Sequence, residues 1–562
     1  MSLQRKWQIA EPPPPGFRLD LGFQTSGIRG PLPSRLLWNR GVRNDKDAAQ
    51  YFASGLDDFL DPMELPDMGL AVDRISKAIS NSETIGVFGD FDVDGLTGTA
   101  ILLRIIRSLG GKAIPYIPNR ETDGHGMSKQ AVDSFHNAGV NLIVTVDTGS
   151  TAIAEVAHAK QFGIDTVITD HHLMETERPD AIAIVNPHIG SKEAVGYSGA
   201  GVAFKVAQAL SKNAGSKFPQ ELLPLAALGT IADIVPLVSE NRALVREGLK
   251  ALGQTEMAGL RALLDISRPP GASGRPTTEL VSFYIAPRLN APGRMGDAEP
   301  SLELLTTNDV SEARALANRL DADNLKRRSL SEQAWEHASK QFDMNSDDPI
   351  VAVRCDGFAM GLLGPLAGRL TELTGKPSIA YQVVDGLARA SCRSNESLDL
   401  HAALSNHTDK FKRFGGHARA AGFSIEIALM SSLLDDIRAN ARNLNLQRQN
   451  YFTELEARKN AEENLQATQQ RLRVGFPGVR TRDIITAQDA LLQAQLSVSR
   501  ASVGYHKIRL KILKDMGILD TSQDNFWLKE FQVPGAVPVP PVPPGGALDD
   551  VIPPDEILGE QP

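Results

Sequence analysis

The chain has 562 residues, of which 42% are hydrophobic and 23% are charged, so it is neither fibrous nor disordered and has room for two or three domains. Its net charge of −9 excludes a surface that is positive throughout, although a local basic groove is compatible with it. The two cysteines, Cys355 and Cys392, form neither a disulfide framework nor a metal-type pair, so a reducing compartment is expected. No signal-peptide core follows Met1, and no apolar run reaches about 18 residues, so we expect a cytoplasmic protein.

The N-terminal half of the chain alternates short apolar runs with amphipathic segments. Residues 1–35 are rich in Pro and Gly and predict an irregular arm before this pattern starts. From 36 to 265 the alternation predicts a doubly wound α/β domain with a parallel sheet. The predicted strands are residues 84–88, 113–117, 142–146, 166–169 and 183–185, and the clearest predicted helices are 96–109 and 128–138.

A connector and a second, smaller α/β domain follow. A Pro- and Gly-rich stretch at residues 268–276 ends the first pattern, and residues 266–345 are expected to connect the two domains. Within this connector, residues 312–341 predict one long charged helix. Residues 346–445 return to mixed strand and helix signals and form the predicted second domain.

The C-terminal part predicts a helical hairpin and a tail. Residues 446–520 contain a polar helical segment, a break at 475–478 and a second helix at 486–516 with a narrow, Ala-rich stripe that suits packing on other helices. The tail, residues 521–562, alternates Pro with Val and then turns acidic. This composition predicts a disordered or polyproline-like segment.

One acid-rich segment carries the strongest chemical signal. Asp90, Asp92 and Asp94 occur at every second position behind the apolar run 85–88. In an extended chain this alternation places the three carboxylates on one side, at the end of a strand where open α/β sheets bind ligands. Three like charges this close repel one another unless a cation lies among them. Oxygen-rich sites of this kind suit Mg²⁺ or Mn²⁺.

Further acids and histidines fall at the ends of predicted strands. They are Asp147 after residues 142–146, Asp170, His171 and His172 after 166–169, and Asp233 after an apolar run at 228–232. A single Asp at a strand end more often caps a helix, and a His pair alone is as well explained by a surface turn. With the acid-rich segment at 90–94 they make four such sites in order, which favour a two-metal centre, in which ions about 4 Å apart activate water and clamp a phosphoryl group.

These motifs resemble those of the DHH phosphoesterase superfamily, and within it the bacterial exonucleases specific for single-stranded DNA. Over residues 20–440, the motifs are Asp-Phe-Asp-Val-Asp-Gly at 90–95, Val-Asp-Thr-Gly at 146–149, Thr-Asp-His-His at 169–172, Gly-Thr-Ile-Ala-Asp at 229–233 and Phe-Gly-Gly-His-Ala-Arg-Ala-Ala-Gly at 414–422. The last is the signature of the DHHA1-type domain. The resemblance implies metal-dependent hydrolysis of phosphodiester bonds from the 5′ end, in recombination and repair.

The resemblance also implies a role for each motif residue. Two Mn²⁺ or Mg²⁺ ions would be held by Asp92, Asp94, Asp147, His171 and Asp233, with Asp147 bridging them. His172 would contact the scissile phosphate, and Asp170 would orient its neighbours. Asp90 would be a ligand or a base behind the ligands. Arg288 or Arg294 would meet the charge that develops in the transition state.

A second group of residues is a candidate for binding phosphate or the 5′ end of the strand. Gly415, Gly416 and His417 offer unhindered backbone N–H groups, which suit a phosphate, although a tight turn that needs glycine explains them as well. Arg393 and Ser394 lie upstream and are candidates for the same phosphate, because Arg offers two parallel donors. An exposed arginine is an equal alternative. The resemblance favours the phosphate role for the glycine motif.

Other readings of the substrate remain open. The expected partner is single-stranded DNA, with a helicase or a single-strand-binding protein as further candidates. Related exonucleases usually continue into an OB-fold, and no β-rich pattern follows residue 440. This favours, as an alternative, a phosphodiesterase of short oligonucleotides or cyclic dinucleotides. A non-catalytic DHH scaffold is a further alternative, although every inferred metal ligand is present.

The hairpin carries a resemblance of its own. Segments such as Ala-Glu-Glu-Asn-Leu at 461–465 and Leu-Leu-Gln-Ala-Gln at 491–495 resemble the closing hairpin of TolC-type outer-membrane efflux proteins. One hairpin does not build a barrel across the envelope, so no stable membrane association is expected. We expect an appended element that promotes self-association; a gene-fusion artefact and an unrelated amphipathic hairpin are the alternatives.

Overall fold

The computed structural model describes a set of ranges that together cover most of the chain. They are residues 12–19, 32–53, 55, 59–119, 124, 126–174, 177–189, 196–269, 274–344, 346–395, 398, 400–405, 407–417, 419–474, 476–478 and 480–515. The predicted tail and most of the predicted N-terminal arm lie outside these residues. Contacts divide the chain into two units, the first comprising Met1–Ser346, Ala352–Thr374 and Ile379–Ser391, and the second Asp347–Val351, Gly375–Ser378 and Cys392–Pro562.

A parallel five-stranded sheet is the centre of the first unit. The strands are β1 (Thr84–Gly89), β2 (Lys112–Tyr116), β3 (Leu142–Val146), β4 (Asp165–Thr169) and β5 (Ala183–Val185). Their order is β2-β1-β3-β4-β5, and all neighbouring pairs are parallel. Every residue of β3 is buried, as expected of a strand that is covered on both faces. The prediction of a doubly wound parallel sheet is therefore confirmed.

Helices cover this sheet and form the rest of the first hydrophobic core. They are α1 (Leu32–Trp38), α2 (Asp45–Ala53), α3 (Met68–Ser80), α4 (Val93–Ser108), α5 (Lys129–Asn137), α6 (Ile153–Gln161), α7 (Gly199–Asn213), α8 (Leu223–Ala232), α9 (Ser239–Leu252), α10 (Ala258–Ser267), α11 (Thr278–Leu280), α12 (Ala286–Arg294), α13 (Glu299–Thr306) and α14 (Val310–Ser339). A π-helical turn, Val281–Ile285, lies between α11 and α12. The long charged helix predicted at 312–341 corresponds to α14 and is confirmed.

One predicted strand is wrong. Residues 228–232 belong to helix α8, and Asp233 is the residue at its C-terminal cap rather than at a strand end. Residues 223–231 are all buried, so the helix is apolar on every side and gives no 3.6-residue periodicity to distinguish it from a buried strand. The abundance of Leu and Ala, with Pro224 in the first turn, is the signal that favours a helix here.

A second sheet with flanking helices corresponds to the predicted smaller α/β region. Its strands are β6 (Val351–Arg354), β7 (Ser378–Val384), β8 (Leu387–Arg393), β9 (Phe411–His417) and β10 (Ala420–Glu426), in the order β6-β7-β8-β10-β9. Helices α15 (Met360–Thr374) and α16 (Leu400–Ser405) belong to the same region. Cys355 and Cys392 are both buried free thiols, so neither is in a disulfide.

Two long helices follow the second sheet. Helix α17 (Ile427–Arg473) has 47 residues and α18 (Thr481–Asp515) has 35, and they pack against each other as a hairpin. The sequence predicted a domain boundary at residue 445. Helix α17 instead begins directly after β10 and continues without a break past this position. Among the described residues, no helix is both long and apolar enough to cross a membrane.

Candidate metal centre

The candidate centre lies at the edge of the first sheet where the strand order reverses. Strand β1 has β2 on one side and β3 on the other, so the chain leaves β1 and β3 toward opposite faces and opens a crevice between them. Asp90 follows β1, Asp147 follows β3 and Asp170 follows β4. The sheet therefore delivers three of the predicted acids to one edge, which is the usual ligand-binding edge of this topology.

The segment after β1 turns into a helix earlier than predicted. Asp92 caps α4, and its Oδ1 accepts hydrogen bonds from the N–H groups of Asp94 at 2.9 Å and Gly95 at 3.1 Å. Asp94 therefore lies in the first helical turn and not on an extended strand, which corrects the alternation argument. A Cβ at Gly95 would lie 2.6 Å from the backbone N and O of Asp90, so glycine is required for this tight turn.

Asp94 is buried against the start of another helix. Only 1% of it is exposed, and its carboxylate accepts hydrogen bonds from the N–H groups of Gly199 at 2.5 Å and Ala200 at 2.9 Å, the first two residues of α7. The positive end of the α7 dipole faces this carboxylate and stabilises its charge. Burial nevertheless dominates and, with the charges of Asp233 and Asp92, raises the pKa of Asp94 to about 8.

Asp147 occupies a strained and buried position. Its φ is +61°, in the left-handed region that costs energy for a residue with a side chain, and its N–H donates to the Thr169 carbonyl at 3.0 Å. Its Oδ1 is buried without a hydrogen-bond partner. Burial, with the charges of Asp94 and Asp92, raises the pKa of Asp147 well above its usual range. An unsatisfied buried carboxylate oxygen of this kind fits a metal ligand.

His171 lies among three of these carboxylates. Its Nε2 is 2.9 Å from Oδ1 of Asp147, 3.8 Å from Oδ2 of Asp94 and 3.7 Å from Oδ2 of Asp233, and the close contact with Asp147 lacks the alignment of a hydrogen bond. Burial and the neighbouring charge of His172 lower the pKa of His171 to about 4. The imidazole is therefore neutral near pH 7, which is the form that binds metals.

Asp170 and His172 form a charged pair beside this group. The buried carboxylate of Asp170 accepts hydrogen bonds from the N–H groups of Ser150 at 2.9 Å and His171 at 2.7 Å, and from Nδ1 of His172 at 2.8 Å. Burial opposes its ionisation, but the bonds from His172 and Ser150 lower the pKa of Asp170 to about 2. The bond to Asp170 in turn raises the pKa of His172 to about 9, so the imidazole is a cation.

Three sets of ligand atoms converge in this crevice. They are Asp147 with His171 and His172, Asp94 with His171 and Asp233, and Asp90 with Asp92 and Asp147, each with its atoms within 4.8 Å of one another. Burial and the charge of Asp92 raise the pKa of Asp233 to about 6. Carboxylate oxygens with one neutral imidazole are a donor set that suits Mn²⁺ or Mg²⁺. Asp147 and His171 each belong to two of the sets.

Helix α12 borders the acid-rich turn but holds its two arginines in other contacts. The Asn290 side chain accepts from the Val93 N–H at 3.1 Å, and a Cβ at Gly293 would lie 2.9 Å from the Phe91 carbonyl oxygen. Arg288 donates to Asp321 and to the Tyr284 carbonyl, both at 2.8 Å. Arg294 donates to the Gly361 carbonyl at 3.3 Å. Arg288 is thus paired with an acid of α14.

The sequence did not identify the groups that hold these side chains. Asn290, Ser150 and the α7 N–H groups were not among the predicted site residues. The Ser-Gly-Ala-Gly run at 198–201 is the signal that could have found the last of these, since Ser198 caps α7 by accepting from the Gly201 N–H at 3.2 Å. Glycine at 199 is also required, because a Cβ there would lie 2.4 Å from the Cβ of Asp147.

The predicted phosphate-binding residues lie in the second sheet. Gly415 and Gly416 in β9 pair with Gly422 and Ala421 in β10. Gly416 has a φ of +139°, and a Cβ there would lie 2.4 Å from the Ala420 carbonyl oxygen, so the hairpin itself requires this glycine. A Cβ at Gly415 would meet nothing within 4 Å, so the space beside its Cα is open.

The other three predicted phosphate-binding residues are placed as follows. Arg393 ends β8, and its guanidinium donates to the Cys392 carbonyl at 2.8 Å. The Ser394 N–H donates to the Arg419 carbonyl at 2.9 Å, which joins the end of β8 to the turn between β9 and β10. His417 is the last residue of β9 and pairs with Ala420.

The chain is similar to known proteins in sequence. The profile of the DHH family, N-terminal domain, matches residues 84–230, and that of the DHHA1 domain matches 347–443. The single-stranded-DNA-specific exonuclease RecJ of Bacillus subtilis is 38% identical over 73% of this chain and 52% of its own length. RecJ of Dickeya dadantii is 37% identical over 70% of this chain and 72% of its own length. The chain thus spans about half of the first relative and nearly three quarters of the second.

The chain is also similar to solved structures of RecJ proteins. The structure of RecJ from Thermus thermophilus in complex with Mn²⁺ is 33% identical and has a TM-score of 0.64, covering 72% of this chain and 58% of that one. An exonuclease RecJ bound to manganese is 35% identical with a TM-score of 0.61, covering 68% of this chain and 96% of that one. On its sequence identity, its two domains and its fold, the chain belongs to the RecJ family of DHH proteins.

Proposed function

We propose that the chain is a metal-dependent exonuclease that hydrolyses single-stranded DNA from its 5′ end, in recombination and repair. The observation that carries this proposal is the crevice between β1 and β3, where buried carboxylates surround a neutral His171 and one oxygen of Asp147 lacks a hydrogen-bond partner. Relatives named single-stranded-DNA-specific exonucleases support the substrate, and related structures with Mn²⁺ or Mg²⁺ support the metal.

We propose that two Mn²⁺ or Mg²⁺ ions are held by Asp92, Asp94, Asp147, His171 and Asp233. Asp147 is the proposed bridge, because it belongs both to the set with the two histidines and to the set with Asp90 and Asp92. Asp90 is a further ligand or a base behind the ligands. When bound, the two ions supply a Lewis acid for the phosphoryl group and lower the pKa of the attacking water.

The side chains of the chain itself supply charge and protons. The protonated His172 is half-exposed, with 49% of its side chain accessible, and it is a suitable partner for the scissile phosphate. Asp170 keeps this imidazole oriented and charged, because Nδ1 of His172 is bound to its carboxylate. Arg288 or Arg294 is the proposed partner for developing negative charge, and the pairing of Arg288 with Asp321 also ties α12 to α14.

We propose that the β8 end and the β9–β10 hairpin bind a phosphate of the strand, including its 5′ end. The open space beside Gly415 supports this role, as do the family's DHHA1 domain and the nearby Arg393 and Ser394. The proposed donors are the backbone N–H groups of Gly415, Gly416 and His417, and Gly416 has the positive φ that the turn requires.

A second candidate is a phosphodiesterase of short oligonucleotides. It is favoured by the region after β10, where the described residues form only the helices α17 and α18 and offer no β-barrel to grip a long strand.

We also propose a cytoplasmic location, a helicase or single-strand-binding protein as a partner, and self-association through α18. Its Ile485, Leu492, Leu496 and Val503 are exposed at near-heptad spacing.

Strands of 2 to about 30 nucleotides, labelled at either end and incubated with Mn²⁺, test both candidates. The exonuclease proposal expects single nucleotides released from the 5′ end of long strands, with duplex DNA resistant and EDTA abolishing activity. A preference restricted to dinucleotides would favour the second candidate. Absence of any Mn²⁺-dependent cleavage in the wild type, but not in an active relative assayed beside it, would refute both.

A further inference from the structure

The π-helical turn that precedes α12 presents two neighbouring aromatic side chains to solvent. Phe283 is 66% exposed and Tyr284 is 37% exposed, although Val281 and Ile285 on either side of them are buried. Phe283 is more exposed than any other Phe, Tyr or Trp among the described residues of the first unit. Exposing a Phe and an adjacent Tyr forgoes burial of apolar area, so a pair of this kind suggests a surface that a ligand covers.

The turn that carries these rings is unusual and well held. π-helical turns are rare and occur frequently at functional sites. The carbonyl of Tyr284 accepts a hydrogen bond from Arg288, whose guanidinium is bound at 2.8 Å by Asp321 of α14. The backbone that carries the two rings is thus tied to a long helix of the same unit.

The same helix leads directly to the metal centre. Asn290 of α12 binds the Val93 N–H in the acid-rich turn, and Gly293 contacts the Phe91 carbonyl. Phe283 precedes Asn290 by seven residues and Gly293 by ten, which corresponds to about 10–15 Å along a helix. Stacked nucleotides repeat at about 3.4 Å, so this distance equals roughly three to four nucleotides.

From these observations we infer that Phe283 and Tyr284 form a stacking platform for the bases of the strand whose phosphate lies in the metal centre. The platform rests on the proposed function and adds to it a subsite for nucleobases three to four nucleotides from the cleaved bond. Aromatic rings bind bases through their faces and tolerate every base, which suits an enzyme that degrades strands of any sequence. The platform therefore contributes affinity for strands of about four nucleotides or more.

The test compares Phe283→Ala with three other proteins. They are the wild type, Phe283→Trp, and Phe162→Ala, whose ring is 38% exposed at the end of α6 in the same unit. Steady-state hydrolysis with Mn²⁺ is measured on a 12-nucleotide strand and on a dinucleotide. Loss of one stacked base weakens binding about 5- to 150-fold, so Phe283→Ala should raise KM for the 12-mer by such a factor and leave kcat nearly unchanged. The dinucleotide does not reach the platform and should be hydrolysed at the wild-type rate.

A spectroscopic readout locates the base. Strands with 2-aminopurine at successive positions are bound to the Asp147→Asn background, in which cleavage is blocked. Fluorescence should be quenched at the third or fourth nucleotide from the cleaved bond, restored by Phe283→Ala and quenched again by Phe283→Trp. Phe162→Ala should change neither KM nor quenching.

The outcomes separate this inference from the proposed function. If the wild type does not cleave the 12-mer, the proposed function fails and the platform fails with it. If the wild type cleaves it and Phe283→Ala has the same KM and the same quenching, the platform alone is refuted. Loss of dinucleotide hydrolysis in Phe283→Ala would assign the ring to folding or chemistry and would likewise overturn the platform.

Discussion

The candidate metal centre and the C-terminal hairpin differ in what holds their side chains. In the centre, carboxylates are buried beside one another, Asp147 has a strained backbone, and the fold compensates with N–H groups from α4 and α7. In the hairpin, α18 packs on α17 through a stripe of small and apolar residues and leaves most other side chains exposed. The centre therefore gives up stability to hold charge, whereas the described residues of the hairpin include no non-glycine residue with a positive φ. Substitutions should separate these two regions by their effects on chemistry and on stability.

Asp147→Asn should have the largest effect on chemistry. We expect activity to fall by at least about 10³-fold, because a proposed bridging ligand is lost. The metal-free protein should melt at the same or a higher temperature, because Asn tolerates a φ of +61° and removes one charge from the acid cluster. Single-turnover cleavage and thermal melting in EDTA measure the two effects. A variant that retains a tenth of wild-type activity would refute the bridging role.

Gly199→Ala should have the second largest effect. The new Cβ would lie 2.4 Å from the Cβ of Asp147, so α7 or Asp147 must shift, and we expect about a 10²-fold loss of activity from misplaced ligands. Gly368→Ala is the matched control, since this glycine lies inside α15 with nothing within 4 Å of a new Cβ. The control should keep full activity and gain roughly 0.5–1 kcal/mol of stability. Equal activity in the two variants would contradict the steric argument.

Stability should depend on pH in a way that metal removes. The pKa of Asp94 is raised from 3.8 to about 8 in the folded state, so its contribution to stability is present below about pH 4 and is lost as the pH rises through about 8. His172, raised from 6.5 to about 9, loses its contribution in the same direction. We expect the melting temperature in EDTA to fall between pH 6 and 9, and the gain from Mg²⁺ to be larger at pH 8.5 than at pH 6. A gain from Mg²⁺ that is constant with pH would contradict this account.

Much of the centre was predictable because its signals are local. A buried strand followed by an acid marks a sheet edge, and Asp147 and Asp170 were placed correctly on that basis. The hydrogen bonds from the first N–H groups of α7 to Asp94 were not predictable, because they join residues more than 100 positions apart. Helix α8 was mistaken for a strand because full burial removes periodicity. For Gly416, the sequence was compatible with two explanations, a tight turn and a phosphate site. The structure shows that the turn itself leaves no room for a Cβ at this position.

The hairpin should show the smallest effect on chemistry. Leu492 and Leu496 of α18 are 52% and 42% exposed, whereas Ala487 of the same helix is buried. Leu492→Lys combined with Leu496→Lys should therefore leave hydrolysis of short strands within about two-fold of wild type, since exposed substitutions rarely alter the fold. If α18 mediates self-association, the same variant should lower the mass measured by light scattering.

A matched control distinguishes an exposed face from a generally fragile hairpin. Gln488→Lys combined with Gln495→Lys adds the same charge at exposed polar positions of α18 and should change neither mass nor activity. If the leucine variant keeps the wild-type mass, the exposed apolar positions do not mediate association. If it instead abolishes hydrolysis of dinucleotides, the hairpin supports the chemistry directly, and the contrast between a strained centre and an independent hairpin would be wrong.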